Sequence, residues 1–246
     1  MTGPQPQSSL MLSLAGVAML LIGALSGWTL AGRDNTGPSS GDFDQRVHDY
    51  IVGHPEVLVE AADALKNQGS ERQLATIADK LITPYSGAVL GNPNGKVTLV
   101  EFTDFACTYC RGSVADVEAL IASNPDLRVV IRELPIIAPT SPDAARWGLA
   151  AAEQGKYPAF HKAMFAAGRT DPDSVEAAAR AAGLNLDRAR RTIADPRVNA
   201  EIATNLDYAR KLQISGTPSW VAGKRLIIGA VGREQLAQAL IAARES

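Results

Sequence analysis

Val97–Cys110, with the sequence VTLVEFTDFACTYC, is the stretch that decides the fold. Its apolar first half, Val97–Phe102, predicts a central strand, and Cys107-Thr108-Tyr109-Cys110 follows at the start of a predicted helix. These are the only two cysteines in the 246 residues, so the fold contains no disulfide elsewhere. A Cys-x-x-Cys pair between a strand and a helix is typical of a dithiol that cycles between reduced and oxidised states. The stretch therefore predicts redox chemistry or metal binding at one site.

The two thiols are expected to have different roles. Disulfide exchange needs one thiolate that attacks and a second thiol that resolves the mixed disulfide. Cys107 lies at the predicted helix N-terminus, where unpaired N–H groups and the helix dipole favour an anion. We therefore expect Cys107 to be the nucleophile. Cys110 lies three residues further on the same helix face and is expected to be the more buried, resolving thiol.

Two other positions are candidates for the same site. Glu101 lies within the apolar strand, on the same face as Leu99. In a strand that is covered on both sides, burial raises the pKa of such a carboxyl, which can then carry the proton of Cys110. The alternative is an exposed glutamate at a strand end. Thr217-Pro218 precedes a predicted strand, and a cis bond there brings its backbone next to Cys107, although an isolated X-Pro bond is usually trans.

The N-terminal part of the chain predicts a membrane anchor. Leu10–Ala31 is uncharged and mostly apolar, and it is longer than the core of a cleaved signal peptide. Its length matches the roughly 20 residues that cross a bilayer. We expect residues 1–41 to form an uncleaved signal anchor followed by a Gly/Ser/Pro-rich tether, with a cleaved signal peptide as the alternative. An export segment before a dithiol domain predicts a location outside the cytoplasm.

Residues 42–86 predict a helical extension. Apolar residues recur at helical spacing from Phe43 to Leu81, with predicted breaks at Gly53-His54 and at Gly69-Ser70. The apolar stripe is narrow, and two interpretations of it stay open. It packs against the chain's own catalytic domain, or it mediates self-association into a homo-oligomer.

Residues 87–246 predict an α/β domain. The segment Gly87–Gly95 is rich in turn residues, and the helix Cys107–Ser123 lies between predicted strands. A helical stretch from Ser141 to about Gln213 follows the second strand. Within it, three N-cap residues each precede a proline in the first helical turn. The predicted strands are Val97–Thr103 and Leu127–Glu133, and the predicted cap pairs are Ser141-Pro142, Asp171-Pro172 and Asp195-Pro196.

The last part of the chain predicts a β-hairpin and a closing helix. Ser219–Ala222 and Arg225–Ile228 are expected to pair across the two-residue turn Gly223-Lys224, and Arg233–Arg244 is expected to be helical. The order strand, helix, strand, helical block, hairpin and helix predicts a thioredoxin-like fold with an inserted helical domain at about 138–213.

Composition and the remaining residue types exclude several function classes. The net charge is −2 and no basic stripe is present, which argues against nucleic acid as a partner. One Cys-x-x-Cys supplies only half of a structural zinc site, and His48, His54 and His161 do not form a second pair of ligands. We therefore expect no metal. Capture of Cu(I) by the two thiolates is the alternative function that this argument leaves open.

Four segments resemble known proteins. Residues 97–110 resemble the active site of the DsbA family, in which an acidic residue lies in the strand before Cys-x-x-Cys. Residues 141–165 resemble the inserted helical domain of that family, and residues 208–231 resemble its cis-proline strand and hairpin. Residues 43–66 resemble the N-terminal extension of the ScsC-like, suppressor-of-copper-sensitivity branch, through which some members oligomerise.

The resemblance implies a thiol:disulfide oxidoreductase of the bacterial cell envelope that acts on exported proteins and exchanges electrons with a membrane redox partner. It gives Cys107 the nucleophile role, Cys110 the resolving role and Glu101 the buried acid role, and it places Thr217-Pro218 at the substrate backbone. The redox-active disulfide then replaces any separate cofactor. Strongly oxidising members have Pro-His between the cysteines, whereas this chain has Thr108-Tyr109, a dipeptide expected to face substrate. This difference favours isomerase or reductase work over oxidase work.

Overall fold

The computed structural model describes residues 40–244, except for the side chains of residues 40–41, 62–68 and 70. The predicted membrane anchor at Leu10–Ala31 lies outside this range. Between residues 40 and 244, no helix is both long enough and apolar enough to cross a membrane.

The described part of the chain forms nine helices and five strands. The helices are α1 Ser40–Gly53, α2 Glu56–Leu81, α3 Thr108–Ser123, α4 Ser141–Glu153, α5 Tyr157–Ala167, α6 Pro172–Ala181, α7 Leu186–Ala194, α8 Pro196–Lys211 and α9 Gly232–Arg244. The strands are β1 Val89–Gly91, β2 Val97–Thr103, β3 Leu127–Glu133, β4 Ser219–Ala222 and β5 Arg225–Ile228. The chain divides into two compact units, Met1–Ala62 and Asp63–Ser246.

The helical extension confirms one predicted break and corrects the other. Helix α1 ends at Gly53, as predicted, but α2 runs without interruption through Gly69-Ser70. An interior glycine costs a helix only about 1 kcal/mol relative to alanine, and helix-forming residues such as Glu71 and Leu74 follow directly. Within the first unit, Phe43, Val47, Tyr50 and Val52 of α1 are exposed to solvent, and Ile51 is half-buried.

A five-stranded sheet forms the centre of the second unit, in the order β1-β3-β2-β4-β5. Strands β2 and β3 are parallel, and the other neighbours are antiparallel. Strand β1 is an addition to the prediction, which had only turn residues at Gly87–Gly95. Val89 pairs with Val130 at the edge of β3, and the left-handed backbone of Gly87 and Gly91 ends this three-residue strand on either side.

The two faces of the sheet pack against different helices. On one face, Leu99 and Ile131 belong to the apolar core that also contains both cysteines. On the other face, Val100 and Phe102 pack with three residues of the last turns of α2, Leu74, Ile77 and Leu81. For these three residues the interpretation as packing against the chain's own domain is confirmed.

A buried arginine holds the end of α2 to the sheet. Arg132 of β3 is 2% exposed and donates hydrogen bonds to the carbonyl oxygens of Lys80, Leu81 and Thr83 at 2.5–3.1 Å. Its guanidinium also forms an ion pair with Glu201 of α8 at 2.8 Å. The carbonyls at the end of a helix have no partner within the helix, and Arg132 supplies one.

The inserted helices begin as predicted at two of three positions. Asp171 and Asp195 are N-caps that accept hydrogen bonds from the backbone, and a proline follows each. The Ser141 cap is wrong, because Thr140 is the N-cap of α4 and Ser141 is already helical. The Ser141 hydroxyl instead donates to Asp104, and its oxygen accepts a hydrogen bond from the Ala138 N–H, which lies before the helix. The predicted hairpin over Gly223 is confirmed.

Candidate active site

Cys107 occupies the N-cap position of α3. The prediction began the helix at Cys107, but the structure begins it at Thr108 and leaves Cys107 extended, with φ −80° and ψ 120°. Its Sγ accepts a hydrogen bond from the Cys110 N–H at 3.3 Å, in the place that the oxygen of Ser or Asp takes at other helix caps. The sulfur therefore lies where the positive end of the helix dipole stabilises negative charge. Both cysteines are free thiols, and Cys107 is 3% exposed.

The Thr217-Pro218 bond is cis, and the Thr217 backbone lies beside Cys107. The Thr217 carbonyl oxygen accepts a hydrogen bond from the Cys107 thiol at 3.2 Å. Cys107 and the Thr217-Pro218 segment therefore lie close together, as predicted. The two hydrogen-bonded residues are 110 positions apart in the chain.

Cys110 and Glu101 lie behind the nucleophile, away from solvent. Cys110 is fully buried, and burial raises the pKa of its thiol, with a further increase from the charge of Glu101. Glu101 is 2% exposed, and β2 places it between Ile131 and Trp220 of the neighbouring strands. Burial raises the pKa of its carboxyl to about 8. Glu101 is therefore buried, as the first of the two interpretations predicted, and the alternative of an exposed glutamate at a strand end is wrong.

Apolar side chains form the exposed rim of the site. Thr108 and Tyr109 both face solvent, and Tyr109 is 71% exposed. In the loop after β3, Ile136 and Ile137 are 42% and 49% exposed. The N–H groups of both isoleucines donate to Asp104, three residues before Cys107, and large exposed apolar side chains of this kind are typical of a surface that contacts a partner.

Sequence reasoning missed Asp104, which organises the loop before Cys107. Asp104 is 1% exposed, and its Oδ1 accepts hydrogen bonds from the Ala106 N–H and the Ser141 hydroxyl at 2.9 and 2.7 Å. Its Oδ2 accepts from the Ile136 and Ile137 N–H groups at 2.8 and 2.9 Å. An acid directly after a buried strand was the available signal, but three of its partners lie 32 to 37 positions away.

Sequence reasoning also missed a second buried acid on the same side of the sheet. Glu133, the last residue of β3, is 1% exposed, and its Oε1 accepts a hydrogen bond from the Tyr157 hydroxyl at 2.7 Å. Tyr157 is itself fully buried. Burial raises the pKa of both groups.

Of the three histidines, only His161 is buried. His161 is 4% exposed in an aromatic cluster with Phe105, Tyr157 and Phe165, and burial lowers its pKa to about 4. Across residues 40–244, no three His, Cys, Asp or Glu side chains come together in a group that could hold a metal ion.

Comparison with solved structures gives the same fold. A thioredoxin-like oxidoreductase from Silicibacter pomeroyi DSS-3 is 42% identical, with a TM-score of 0.65 over 68% of this chain and 98% of that one. The catalytic domain of Proteus mirabilis ScsC is 25% identical, with a TM-score of 0.63 over 72% and 99% of the two chains. Salmonella enterica Typhimurium BcfH is 25% identical, with a TM-score of 0.63 over 90% and 99%.

A curated relative, the Na(+)/H(+) antiporter NhaA 3 of Salinispora tropica, is 33% identical over 165 residues, which are 66% of this chain. The chain spans about a quarter of the length of the curated relatives that it matches. The model of the Copper resistance protein ScsC N-terminal domain matches residues 42–70, and that of the DSBA-like thioredoxin domain matches residues 98–241. Because the second match covers more than half of the chain, this protein belongs to the DSBA-like thioredoxin domain family and has the fold of a thiol–disulfide oxidoreductase.

Proposed function

We propose that this protein catalyses thiol–disulfide exchange with exported proteins through Cys107 and Cys110. The position of the Cys107 sulfur carries the proposal. It caps α3 and lies 3.2 Å from the Thr217 carbonyl oxygen, in front of a buried thiol and a buried acid. A nucleophile, a resolving thiol and a proton carrier are the three groups that the reaction requires.

The exchange proceeds in two displacements. The Cys107 thiolate attacks one sulfur of a substrate disulfide, forms a mixed disulfide, and releases the other sulfur as a thiolate that takes a proton from water. Cys110 gives its proton to the Glu101 carboxylate and attacks the Cys107 sulfur. The Cys107–Cys110 disulfide forms, the second substrate thiolate leaves, and two electrons have passed to the substrate. The reverse sequence oxidises a substrate dithiol, so the pair carries the electrons without a separate cofactor.

The rim of the site favours an extended, partly unfolded polypeptide as substrate. The Thr217 carbonyl lies beside Cys107, and Tyr109, Ile136 and Ile137 offer exposed apolar surface. Segments that expose cysteines and apolar side chains together are typical of exported proteins before they finish folding.

The direction of exchange follows from the reduction potential of the pair. The Thr108-Tyr109 dipeptide contains no imidazole to stabilise the thiolate, which favours isomerase or reductase work. Equilibration with glutathione measures the potential. A value of roughly −200 to −270 mV supports this direction, and a value near roughly −120 mV shows a disulfide donor instead.

The cell envelope is the compartment that suits this chemistry. A similar solved structure, 28% identical, is a periplasmic thioredoxin-like protein from Salmonella enterica serovar Typhimurium. We propose that Leu10–Ala31 anchors the chain in the inner membrane, with the dithiol in the periplasm and a membrane redox partner. Carbonate extraction of membranes tests the anchor, because a cleaved, released chain appears in the soluble fraction.

The extension offers a surface for self-association. Phe43, Val47 and Tyr50 follow one another at helical spacing on α1 and are 40–58% exposed. The match of residues 42–70 to the ScsC N-terminal domain supports the same role. Sedimentation of the protein without residues 1–41 tests this proposal, and a monomer at high concentration contradicts it.

Two cysteine variants test the main proposal. We expect Cys107→Ser to abolish exchange with glutathione disulfide, and Cys110→Ser to accumulate the mixed disulfide on Cys107, which mass spectrometry detects. Exchange retained in Cys107→Ser refutes the proposal. Stoichiometric Cu(I) binding by the wild type with negligible exchange supports the copper-sequestering alternative.

A further inference from the structure

The loop between β3 and α4, residues 134–140, exposes two large apolar side chains. Its first residue, Leu134, is buried, but Ile136 and Ile137 are 42% and 49% exposed. Isoleucine is among the residues that are most often fully buried in folded proteins. Two consecutive isoleucines that stay at the surface therefore need a physical reason.

Asp104 holds this loop from the inside of the protein. Its Oδ2 accepts hydrogen bonds from the Ile136 and Ile137 N–H groups at 2.8 and 2.9 Å. Its Oδ1 accepts from the Ser141 hydroxyl at 2.7 Å, and the Ser141 oxygen accepts from the Ala138 N–H at 3.1 Å. Three consecutive N–H groups of the loop are thus bound to one carboxyl group, directly or through Ser141.

These hydrogen bonds fix the conformation in which the isoleucines are exposed. Asp104 is 1% exposed, and a buried acceptor that loses its donors costs more than an exposed one. The loop cannot turn its isoleucines inward by moving its backbone without breaking such bonds. Hydrogen bonds to a carboxylate are also about twice as strong as those between neutral groups. The apolar pair is therefore presented by a rigid loop.

Asp104 also holds the turn that carries the nucleophile. Its Oδ1 accepts a hydrogen bond from the Ala106 N–H at 2.9 Å, and its backbone carbonyl accepts from the Cys107 N–H at 3.0 Å. In a four-residue turn of this kind, the first and last Cα atoms are less than about 7 Å apart. A single residue thus bonds to both the isoleucine loop and the backbone of Cys107.

We propose that Asp104 is a positioning residue, which fixes Ile136 and Ile137 as a docking surface for apolar side chains of an unfolded polypeptide whose disulfide reacts with Cys107. The proposal rests on the proposed exchange function and names the part of the site that recognises a polypeptide. An extended chain advances about 3.3 Å per residue, so the side chains concerned are those a few positions from the substrate cysteine. Because the loop is already ordered, docking does not have to order it.

The surface distinguishes a polypeptide from a small disulfide. Glutathione disulfide has no large apolar side chain, so it gains nothing from the two isoleucines. Scrambled lysozyme, an unfolded protein that contains disulfides, offers many such side chains. The ratio of kcat/KM for scrambled lysozyme to the second-order rate constant for glutathione disulfide therefore measures docking separately from the chemistry at Cys107.

The first test removes the apolar side chains and keeps their N–H groups. The full-length reduced chain in lipid nanodiscs is compared with the double variant Ile136→Ser, Ile137→Ser. The ratio should fall about tenfold, mainly through a higher KM for scrambled lysozyme. A factor of ten corresponds to about 1.4 kcal/mol, as expected when two half-exposed side chains lose an apolar contact. An unchanged ratio in the folded variant overturns the proposal.

The second test asks whether Asp104 acts through the isoleucines. Asparagine replaces one acceptor oxygen with an N–H donor, so Asp104→Asn cannot accept all four hydrogen bonds and should raise the KM for scrambled lysozyme. In the double-serine background, the same substitution should change this KM by less than about twofold, because residues that act as a unit are not additive. An equal effect in both backgrounds refutes the positioning role.

Two further variants complete this cycle. Circular dichroism shows whether each variant is folded. If Asp104→Asn does not fold, Ser141→Ala takes its place, because it removes the hydroxyl that links Asp104 to the Ala138 N–H. Asp187→Asn is the matched surface control, since Asp187 is 83% exposed and pairs with Arg190; it should leave the ratio unchanged.

The results separate the docking surface from the exchange function. If the wild type exchanges with both substrates and the ratio is the same in all folded variants, the exchange function stands and the docking surface is refuted. If the wild type exchanges with neither substrate, the proposed function fails. Binding of reduced, alkylated lysozyme, which has no free thiol, then decides the docking surface: the double-serine variant should weaken the Kd about tenfold, and an unchanged Kd overturns the proposal.

Discussion

The stability of Glu101→Gln relative to the wild type should increase as the pH rises from acidic to alkaline. Glu101 is 2% exposed, and burial raises its pKa from the ordinary 4.5 to about 8. When folding raises the pKa of an acid, the acid does not lower the free energy of unfolding at a pH below its pKa in the unfolded chain. As the pH rises from 4.5 to about 8, the unfolded chain loses this proton before the folded chain does. The contribution of Glu101 to stability therefore falls across that window.

The magnitude follows from the same two pKa values. A difference of about 3.5 pH units corresponds to about 5 kcal/mol of unfolding free energy, and relaxation of the site reduces the expected effect to about 3–5 kcal/mol. Glutamine cannot ionise, so the variant lacks this loss. Its amide costs some stability where Oε2 has no hydrogen-bond partner in the described structure, but that cost is the same at every pH.

Urea unfolding of the reduced proteins at pH 5 and pH 8.5 measures the effect. The stability difference between Glu101→Gln and wild type should move in favour of the variant by about 3–5 kcal/mol between the two pH values. Glu118→Gln is a matched control, because Glu118 is 53% exposed and pairs with Lys162 at the surface. Parallel stability curves for wild type and Glu101→Gln would refute the burial argument.

Three further predictions concern groups around the site. Asp104→Asn should destabilise the fold by about 2–3 kcal/mol in urea, because a neutral amide replaces a charged acceptor of four hydrogen bonds; a loss below 0.5 kcal/mol would contradict this role. Because burial lowers the His161 pKa from 6.5 to about 4, we expect the wild type to lose about 3 kcal/mol of unfolding free energy as the pH falls from 6.5 to 4, and His161→Phe should abolish this loss. Equal slopes of melting temperature against pH in the two proteins would count against it. Arg132→Met should cost about 3 kcal/mol and expose the end of α2 to amide hydrogen exchange, whereas unchanged protection at Leu81 would show that Arg132 does not hold this turn.

Much of the site was predictable because its signals are local. The strand, the Cys-x-x-Cys pair and the following helix are consecutive in the chain, and each follows from residue type and spacing. The Asp-Pro pairs at two helix starts belong to the same class, since the cap and its N–H partner lie within three residues. The burial of Glu101 was predicted correctly because the strand around it is apolar.

The errors arise where distant contacts override local preference. Ser141 has the residue type of a cap, yet its hydroxyl donates to Asp104, 37 positions away. Gly69-Ser70 predicts a break, yet the helix continues. Val89–Gly91 is too short to be recognised and becomes a strand only because the edge of β3 offers hydrogen-bonding groups.

The sequence by itself determined the position of the Cys-x-x-Cys pair at the start of a helix and the order of the elements from β2 onward. These depend on backbone preferences and side-chain chemistry within a few positions. The tertiary structure alone decided which groups surround the dithiol. The Thr217 carbonyl reaches Cys107 across 110 positions, and Tyr157 reaches Glu133 across 24. The physical reason is that hydrogen bonds and shared burial act over a few ångströms in space, so they depend on strand register and helix packing rather than on neighbours along the chain.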